Sequence, residues 1–140
     1  MTVAVDTNVI VSSWGSNDAL NSIATAALDS ASARGRLVVA APVYAELLAA
    51  PHRTEAFIDY FFAKTGVEVD WNIDESIWRS AGRAFQAYAA RRKVRQQSGP
   101  RRILADFVIG AHALRRGYAL LTLDDEIYRA CFPRLPLVEI

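Results

Sequence analysis

Short apolar runs alternate along this chain with longer stretches in which apolar residues recur every three or four positions, and that alternation restricts the fold more than any other feature. Thr2–Val5 and Arg36–Ala40 read as buried strands, residues 119–122 as a third, and Val67, Glu68 and Val69 alternate as a strand does. Helices fill the intervals. Asn17 and Asp18 offer caps to a helix bearing Leu20, Ile23, Ala24, Ala27, Leu28 and Ala31. Pro42 suits the first turn of another, through Val43, Glu46, Leu47 and Ala50, which Pro51 stops. Residues 54–64 carry Phe57, Ile58, Phe61 and Phe62 at helical spacing, and Asp74 caps a longer helix with Ile77, Ala81, Ala84, Phe85 and Tyr88 on one face. Residues 102–116 form a helix ending at Gly117, and 124–130 a short one. Asp6, Thr7 and Asn8 read as a loop after the first strand, and 137–140 as a terminal strand. Strands separated by helices pair in parallel through right-handed crossovers. The expected fold is α/β, a three-layer α/β/α sandwich with a mainly parallel central sheet.

At 140 residues the chain holds one core, so a single domain over 1–140 is expected. With 52% hydrophobic and 22% charged residues it is too apolar for a disordered chain. No uninterrupted apolar run approaches the ~20 residues of a bilayer span, and no basic residue precedes the first apolar run, so neither anchor nor leader is expected and the cytoplasm is the expected compartment. Cys131 stands alone, which excludes an intramolecular disulfide and a CxxC zinc site, and it reads as a small hydrophobe. His52 and His112 are too far apart in sequence to suggest a histidine-rich metal site, and His112 reads as a core or surface residue rather than a general base. Trp14, Trp71 and Trp78 read as core or interface anchors. No serine sits in a G-x-S-x-G elbow and no glycine-rich phosphate loop is present.

The formal net charge of +1 conceals an asymmetry. Arg91, Arg92, Lys93, Arg95, Arg101 and Arg102 fall within residues 91–102 with no acid among them, which leaves the rest of the chain at −5. Such a segment is either a solvated helix end and loop or a contact for nucleic acid. Five of its six cations are arginine, which suits bidentate phosphate contacts and makes all six candidate nucleic-acid-binding residues.

Four acids depart from the usual solvated positions. Asp6 follows Val3-Ala4-Val5, Glu46 lies within Val43-Tyr44-Ala45-Glu46-Leu47-Leu48, Asp106 within Ile103-Leu104-Ala105-Asp106-Phe107-Val108-Ile109, and Asp124 after Leu120-Leu121-Thr122-Leu123. Each has a plain alternative: an Asx-type turn for Asp6, a half-exposed helix face for Glu46, a first-turn acid for Asp106 and an N-cap for Asp124. Asp6 and Asp124 stand just beyond the carboxyl ends of strands, where open α/β sheets bind ligands. On its helix, Asp106 shares a face with Gly110, Ala113 and Gly117, which admit a close approach to the sheet. If the four converge, their like charges repel, and a divalent cation relieves the repulsion. An all-oxygen donor set selects Mg²⁺ or Mn²⁺ over zinc, and the chemistry it points to is phosphoryl hydrolysis.

Val5-Asp6-Thr7-Asn8-Val9, Glu46 after Pro42, the run from Ala105-Asp106-Phe107 to Ala111-His112-Ala113, and Leu121-Thr122-Leu123-Asp124 resemble the four acidic motifs of the PIN domain. The length and residues 128–136 further resemble VapC-type toxins of bacterial toxin–antitoxin pairs, and the likeness spans residues 6–137. The resemblance implies a Mg²⁺- or Mn²⁺-dependent ribonuclease, homodimeric, inhibited by a VapB-type antitoxin whose tail covers the acidic pocket. It makes Asp6, Glu46, Asp106 and Asp124 the metal-binding catalytic acids, with the Thr122 hydroxyl ordering the site. Leu123 departs from the polar or basic residue often found there, and Asp125 adds an acid beside Asp124. Two rivals are a haloacid-dehalogenase-type phosphatase, which would normally carry a second acid where Asn8 stands, and a non-catalytic PIN-fold binding module.

Overall fold

The computed structural model describes residues 1–15, 18–95 and 103–140. Strands β1 (Thr2–Val5), β2 (Arg36–Ala40), β3 (Glu68–Asp70) and β4 (Ala119–Leu121) form one parallel sheet in the order β3-β2-β1-β4. Val3 lies between Leu37 on one side and Ala119 on the other, and Ala40 pairs with Asp70. β1 and β2 are central and covered on both faces, which is why both are nearly continuous runs of buried apolar residues.

Among the described residues, α1 (Thr7–Ser13) and α2 (Ala19–Arg34) connect β1 to β2, and α3 (Ala41–Leu48) and α4 (Glu55–Thr65) connect β2 to β3. α5 (Glu75–Arg95) and α6 (Leu104–Arg116) lead to β4, and α7 (Asp125–Cys131) follows it. Two crossovers step in one direction and the third returns across the sheet. Right-handed connections therefore place α1 to α4 on one face and α5 and α6 on the other, the expected α/β/α sandwich. The direction reverses between β1 and β4, and such a switch point opens a crevice at the strands' carboxyl ends.

The helix boundaries follow their local chemistry. Asp18, Thr54 and Asp74 accept the backbone N–H three residues on, Pro42 lies in the first turn of α3, and Gly117 ends α6 in the left-handed region at φ 75°. Asn17, the other expected cap, lies outside the described residues.

Four expectations need correction. The stretch after β1 is not a loop: Asp6 caps α1, which begins at Thr7 and buries Val9 and Ile10. The terminal strand reduces to a single bridge, Leu120 to Leu137, flanked by hydrogen bonds from Leu120 to Pro136 and from Val138 to Leu120. Pro133 and Pro136 have no N–H with which to extend a ladder. Trp14 packs edge-on against Phe57 and Phe61, each at 5.2 Å, but Trp71 and Trp78 are exposed, so for them the core alternative is corrected and the interface alternative stands.

The fourth correction concerns Gly110. A Cβ placed there would meet the Phe132 ring at 2.5 Å, so the missing side chain makes a notch for Phe132 at the end of α7 rather than a close approach of α6 to the sheet. Gly110→Ala gains helix propensity, about 1 kcal/mol, but overpacks a rigid buried ring at a cost of about 1–3 kcal/mol. Denaturant unfolding should show net destabilisation of Gly110→Ala and partial recovery in Gly110→Ala/Phe132→Leu. A more stable single variant would show that the notch is slack.

Candidate active site

Asp6 ends β1 and accepts the Thr7 N–H on Oδ1 at 2.8 Å. Its Oδ2 accepts two hydroxyls, Thr122 at 2.8 Å from the end of β4 and Tyr128 at 3.0 Å from α7. The side of the sheet where the chain reverses is thus tied together through one carboxylate. Asp6 is only 5% exposed. Burial pushes its pKa up, the Thr122, Tyr128 and Thr7 donors pull it back, and the Glu46 charge adds to the rise, leaving it above the ordinary aspartate value.

Asn8, one residue into α1 from Thr7, holds the opposite loop. Its Oδ1 accepts the Leu123 N–H at 3.1 Å, and its Nδ2 donates to Thr122 Oγ1 at 3.4 Å. Thr122 Oγ1 also accepts the Asp124 N–H at 3.0 Å. Glu46, half-buried on α3, accepts the Thr7 hydroxyl on Oε1 at 2.7 Å, so Thr7 links the first two acids.

Asp106 lies half-buried in the first turn of α6. Burial, first, and then the charges of Asp6, Asp106 and Glu46 push the pKa of the Tyr128 hydroxyl up. Asp124 occupies the N-cap position of α7 without capping it through its side chain. Asp125 is exposed and pairs with Arg129 at 3.1 Å, one turn along the helix. Leu123 packs against the core.

The acids share this rim without closing into a cage: among the described residues, no group of three or more His, Cys, Asp or Glu could hold a metal ion as placed. The donor chemistry nevertheless fits a hard divalent cation. Asp6 is a buried carboxylate whose hydrogen-bond donors are all neutral, and a second acid, Glu46, reaches it electrostatically.

The sequence alone gives no role to Thr7, Asn8 or Tyr128. Thr7 and Asn8 sit inside the first motif, but only the fold brings Glu46 and Leu123 to them. Tyr128 lies four residues from Asp124, a helical spacing that signals core packing and does not reveal a hydroxyl partner.

Arg91, Arg92 and Lys93 lie on the last turns of α5, the first two half-buried and Lys93 exposed. Arg91 Nη2 is 3.3 Å from Cys131 Sγ on α7, and Tyr88 packs 5.4 Å from Phe107, the neighbour of Asp106. This basic end therefore borders both helices that carry site residues. Cys131 packs on the core while receiving Arg91. Arg95 closes α5, and its side chain, with Arg101 and Arg102, lies outside the described residues.

The PIN domain family model matches residues 3–133. The chain belongs to the PIN domain family. No curated protein matches its sequence. Among solved structures, VapBC2 from Rickettsia felis bound to a promoter DNA fragment aligns with TM-score 0.67 at 14% identity, covering 99% of this chain and 98% of that one. VapBC-1 from nontypeable Haemophilus influenzae gives TM-score 0.67 at 19% identity over 99% and 98% of the two chains. FitAcB from Neisseria gonorrhoeae gives 0.61 at 17% over 98% and 96%. At these identities the likeness is one of fold.

In this PIN chain His112 stays out of the acidic rim, as a core histidine. Its Nε2 lies 2.9 Å from Asp70 Oδ2, to which Arg116 also donates, and its Nδ1 is buried with no hydrogen-bond partner among the described residues. Burial lowers its pKa against the opposing pull of Asp70. Burial also works against the Asp70 carboxylate, but His112, the Asn72 N–H and Arg116 outweigh it and hold that pKa below the ordinary value. A histidine with a lowered folded pKa contributes its stability above the unfolded value of about 6.5, and loses it as pH falls because the unfolded chain binds the proton first. His112→Leu should lower stability at pH 7 by about 1–3 kcal/mol, since Asp70 loses a donor, yet fall less between pH 7 and 5. Parallel parent and variant curves over that range would assign the acid loss to other groups.

Proposed function

We propose that this PIN chain is a Mg²⁺- or Mn²⁺-dependent endoribonuclease of the VapC toxin type, folded as one domain over residues 1–140. The observation that carries the reading is the hydrogen-bonded network at the sheet's switch point, in which the buried Asp6 carboxylate accepts the Thr122 and Tyr128 hydroxyls and Thr7 joins it to Glu46. Asp6, Glu46, Asp106 and Asp124 would hold the ion. A divalent ion in that position supplies Lewis acidity and a water of lowered pKa for phosphodiester hydrolysis.

The chain's own groups provide the rest. Thr122 and Tyr128 fix Asp6, and Thr7 fixes Glu46 through Oε1, leaving Oε2 to orient the attacking water. In-line attack by water leaves 5′-phosphate and 3′-hydroxyl ends. An RNA strand approaching an acidic rim needs compensating charge, and Arg91, Arg92, Lys93, Arg95, Arg101 and Arg102 supply it for the phosphates beside the scissile one.

Inhibition by a VapB-type antitoxin and homodimerisation belong to the same reading. Several structural neighbours are toxin–antitoxin complexes, one from Klebsiella pneumoniae aligning with TM-score 0.62 at 17% identity. The exposed Phe57, Tyr60, Trp71 and Trp78 offer apolar surface of the kind partners cover. No described helix is long and apolar enough to cross a membrane, and a cytoplasmic location follows from the proposed substrate. The haloacid-dehalogenase-type phosphatase has no support from the family match or from Asn8.

End-labelled structured RNAs incubated with metal-stripped protein should be cut at discrete positions only when Mg²⁺ or Mn²⁺ is added. Asp106→Asn should abolish cutting while leaving the melting temperature in EDTA unchanged or higher, because one repelling charge is gone. Added Mn²⁺ should raise the melting temperature of the parent more than that of the variant. A variant that cuts at the parental rate removes Asp106 from the site. RNA bound but never cut by the parent favours the non-catalytic binding module.

Replacing Arg91, Arg92, Lys93 and Arg95 by Gln should weaken RNA binding and flatten the dependence of log affinity on log salt by up to roughly four units of slope, about one for each phosphate left without its cation. An unchanged slope would make the segment a solvated helix end.

A further inference from the structure

We propose that Tyr128 and Thr122 together restrict Asp6 to a single ligating oxygen and so set the site's preference for small octahedral ions over Ca²⁺. The inference rests on the metal-dependent reading above and adds the residues that choose the ion.

The restriction begins with lone pairs. A carboxylate has about four acceptor positions, two on each oxygen. On Asp6, Oδ2 accepts both the Thr122 and the Tyr128 hydroxyls, and Oδ1 accepts the Thr7 N–H. One position remains, on Oδ1. To present both oxygens to a cation the carboxylate would have to give up hydroxyl bonds inside a buried pocket, where unmade hydrogen bonds are most costly.

Ion chemistry turns that restriction into selectivity. Mg²⁺ demands near-ideal octahedral geometry at short distances and is commonly held by one or two carboxylates plus waters. Ca²⁺ takes 6–8 oxygens at longer distances and readily accepts both oxygens of one carboxylate. A carboxylate limited to one oxygen suits the smaller ion and withholds from Ca²⁺ the second oxygen that it can use.

Tyr128 is suited to this role. It is 1% exposed, and its hydroxyl donates to Asp6 Oδ2 at 3.0 Å from the body of α7. Thr122 is in turn held by Asn8 and by the Asp124 N–H, so the second donor is also fixed. Both act through Asp6 and are positioning residues.

The test is a set of thermal melts on EDTA-treated full-length protein, titrated separately with Mg²⁺, Mn²⁺ and Ca²⁺ to give an apparent affinity for each ion. The parent should bind Mg²⁺ and Mn²⁺ more tightly than Ca²⁺. Tyr128→Phe should lose roughly tenfold or more in Mg²⁺ affinity while Ca²⁺ affinity holds or rises, so the Mg²⁺-to-Ca²⁺ ratio narrows. Thr122→Ser keeps a donor hydroxyl and should keep the parental ratio. If Tyr128→Phe gives no cooperative melt, Thr122→Val removes the other donor and is read in the same way. A variant with a lower melting temperature in EDTA but an unchanged ion ratio overturns the inference and leaves the metal reading standing. A parent that no divalent ion stabilises overturns both.

Discussion

A carboxylate removed from water must find compensating donors, and at Asp6 that requirement joins parts of the chain more than a hundred residues apart. The side chain stands where the central strand ends, so its donors come from the elements that meet there: the first turn of α1, the residue following β4, and α7. Loss of either hydroxyl would leave a buried charge less satisfied, at a cost of about 1–3 kcal/mol. The closing part of the chain is thereby tied to the end of its opening strand by polar contacts, while the single Leu120–Leu137 bridge joins it to β4.

The seat of Tyr128 depends in turn on packing remote from any charge. α7 ends on Phe132, whose ring fills the notch that Gly110 leaves in α6, one turn from Asp106. Tyr128 and Phe132 pack as tilted rings 6.5 Å apart, and the Phe132 N–H closes the helix on the Tyr128 carbonyl at 2.8 Å. The position of a hydroxyl on the acidic rim is therefore set partly by the absence of a methyl group on a neighbouring helix. Close packing carries such dependences because well-filled interiors have little slack.

Most of the architecture is legible in the sequence because strands buried on both faces leave runs that few other elements imitate, and because Asp18, Thr54, Asp74 and Gly117 mark helix ends by local chemistry. α1 is hidden: it is only seven residues long, and Val9, Ile10 and Val11 in succession carry no helical period. The strand-end rule directs Asp6 and Asp124 to one rim, but it does not reach Glu46 and Asp106, which lie on helices. The acids are legible as misplaced charges. Their partners are not. Whether Thr7 reaches Glu46, or Tyr128 reaches Asp6, depends on contacts between residues 39 and 122 positions apart, which no local pattern encodes. Gly110 misleads for the same reason, since its neighbour Phe132 lies beyond β4, at the end of the next helix.

The electrostatics of the rim also bear on why it stays open. Four carboxylates pressed together without a cation would each be driven toward the protonated form. Here the burden is concentrated: Asp6 is buried with a raised pKa, whereas Glu46, Asp106 and Asp124 remain partly exposed to solvent, which screens them. Spacing the acids around a hydroxyl-bound centre limits their mutual repulsion and keeps Glu46, Asp106 and Asp124 within reach of solvent. The fold thus tolerates an acidic rim by burying one charge deeply, with three donors to hold it, and keeping the others where water can still reach them.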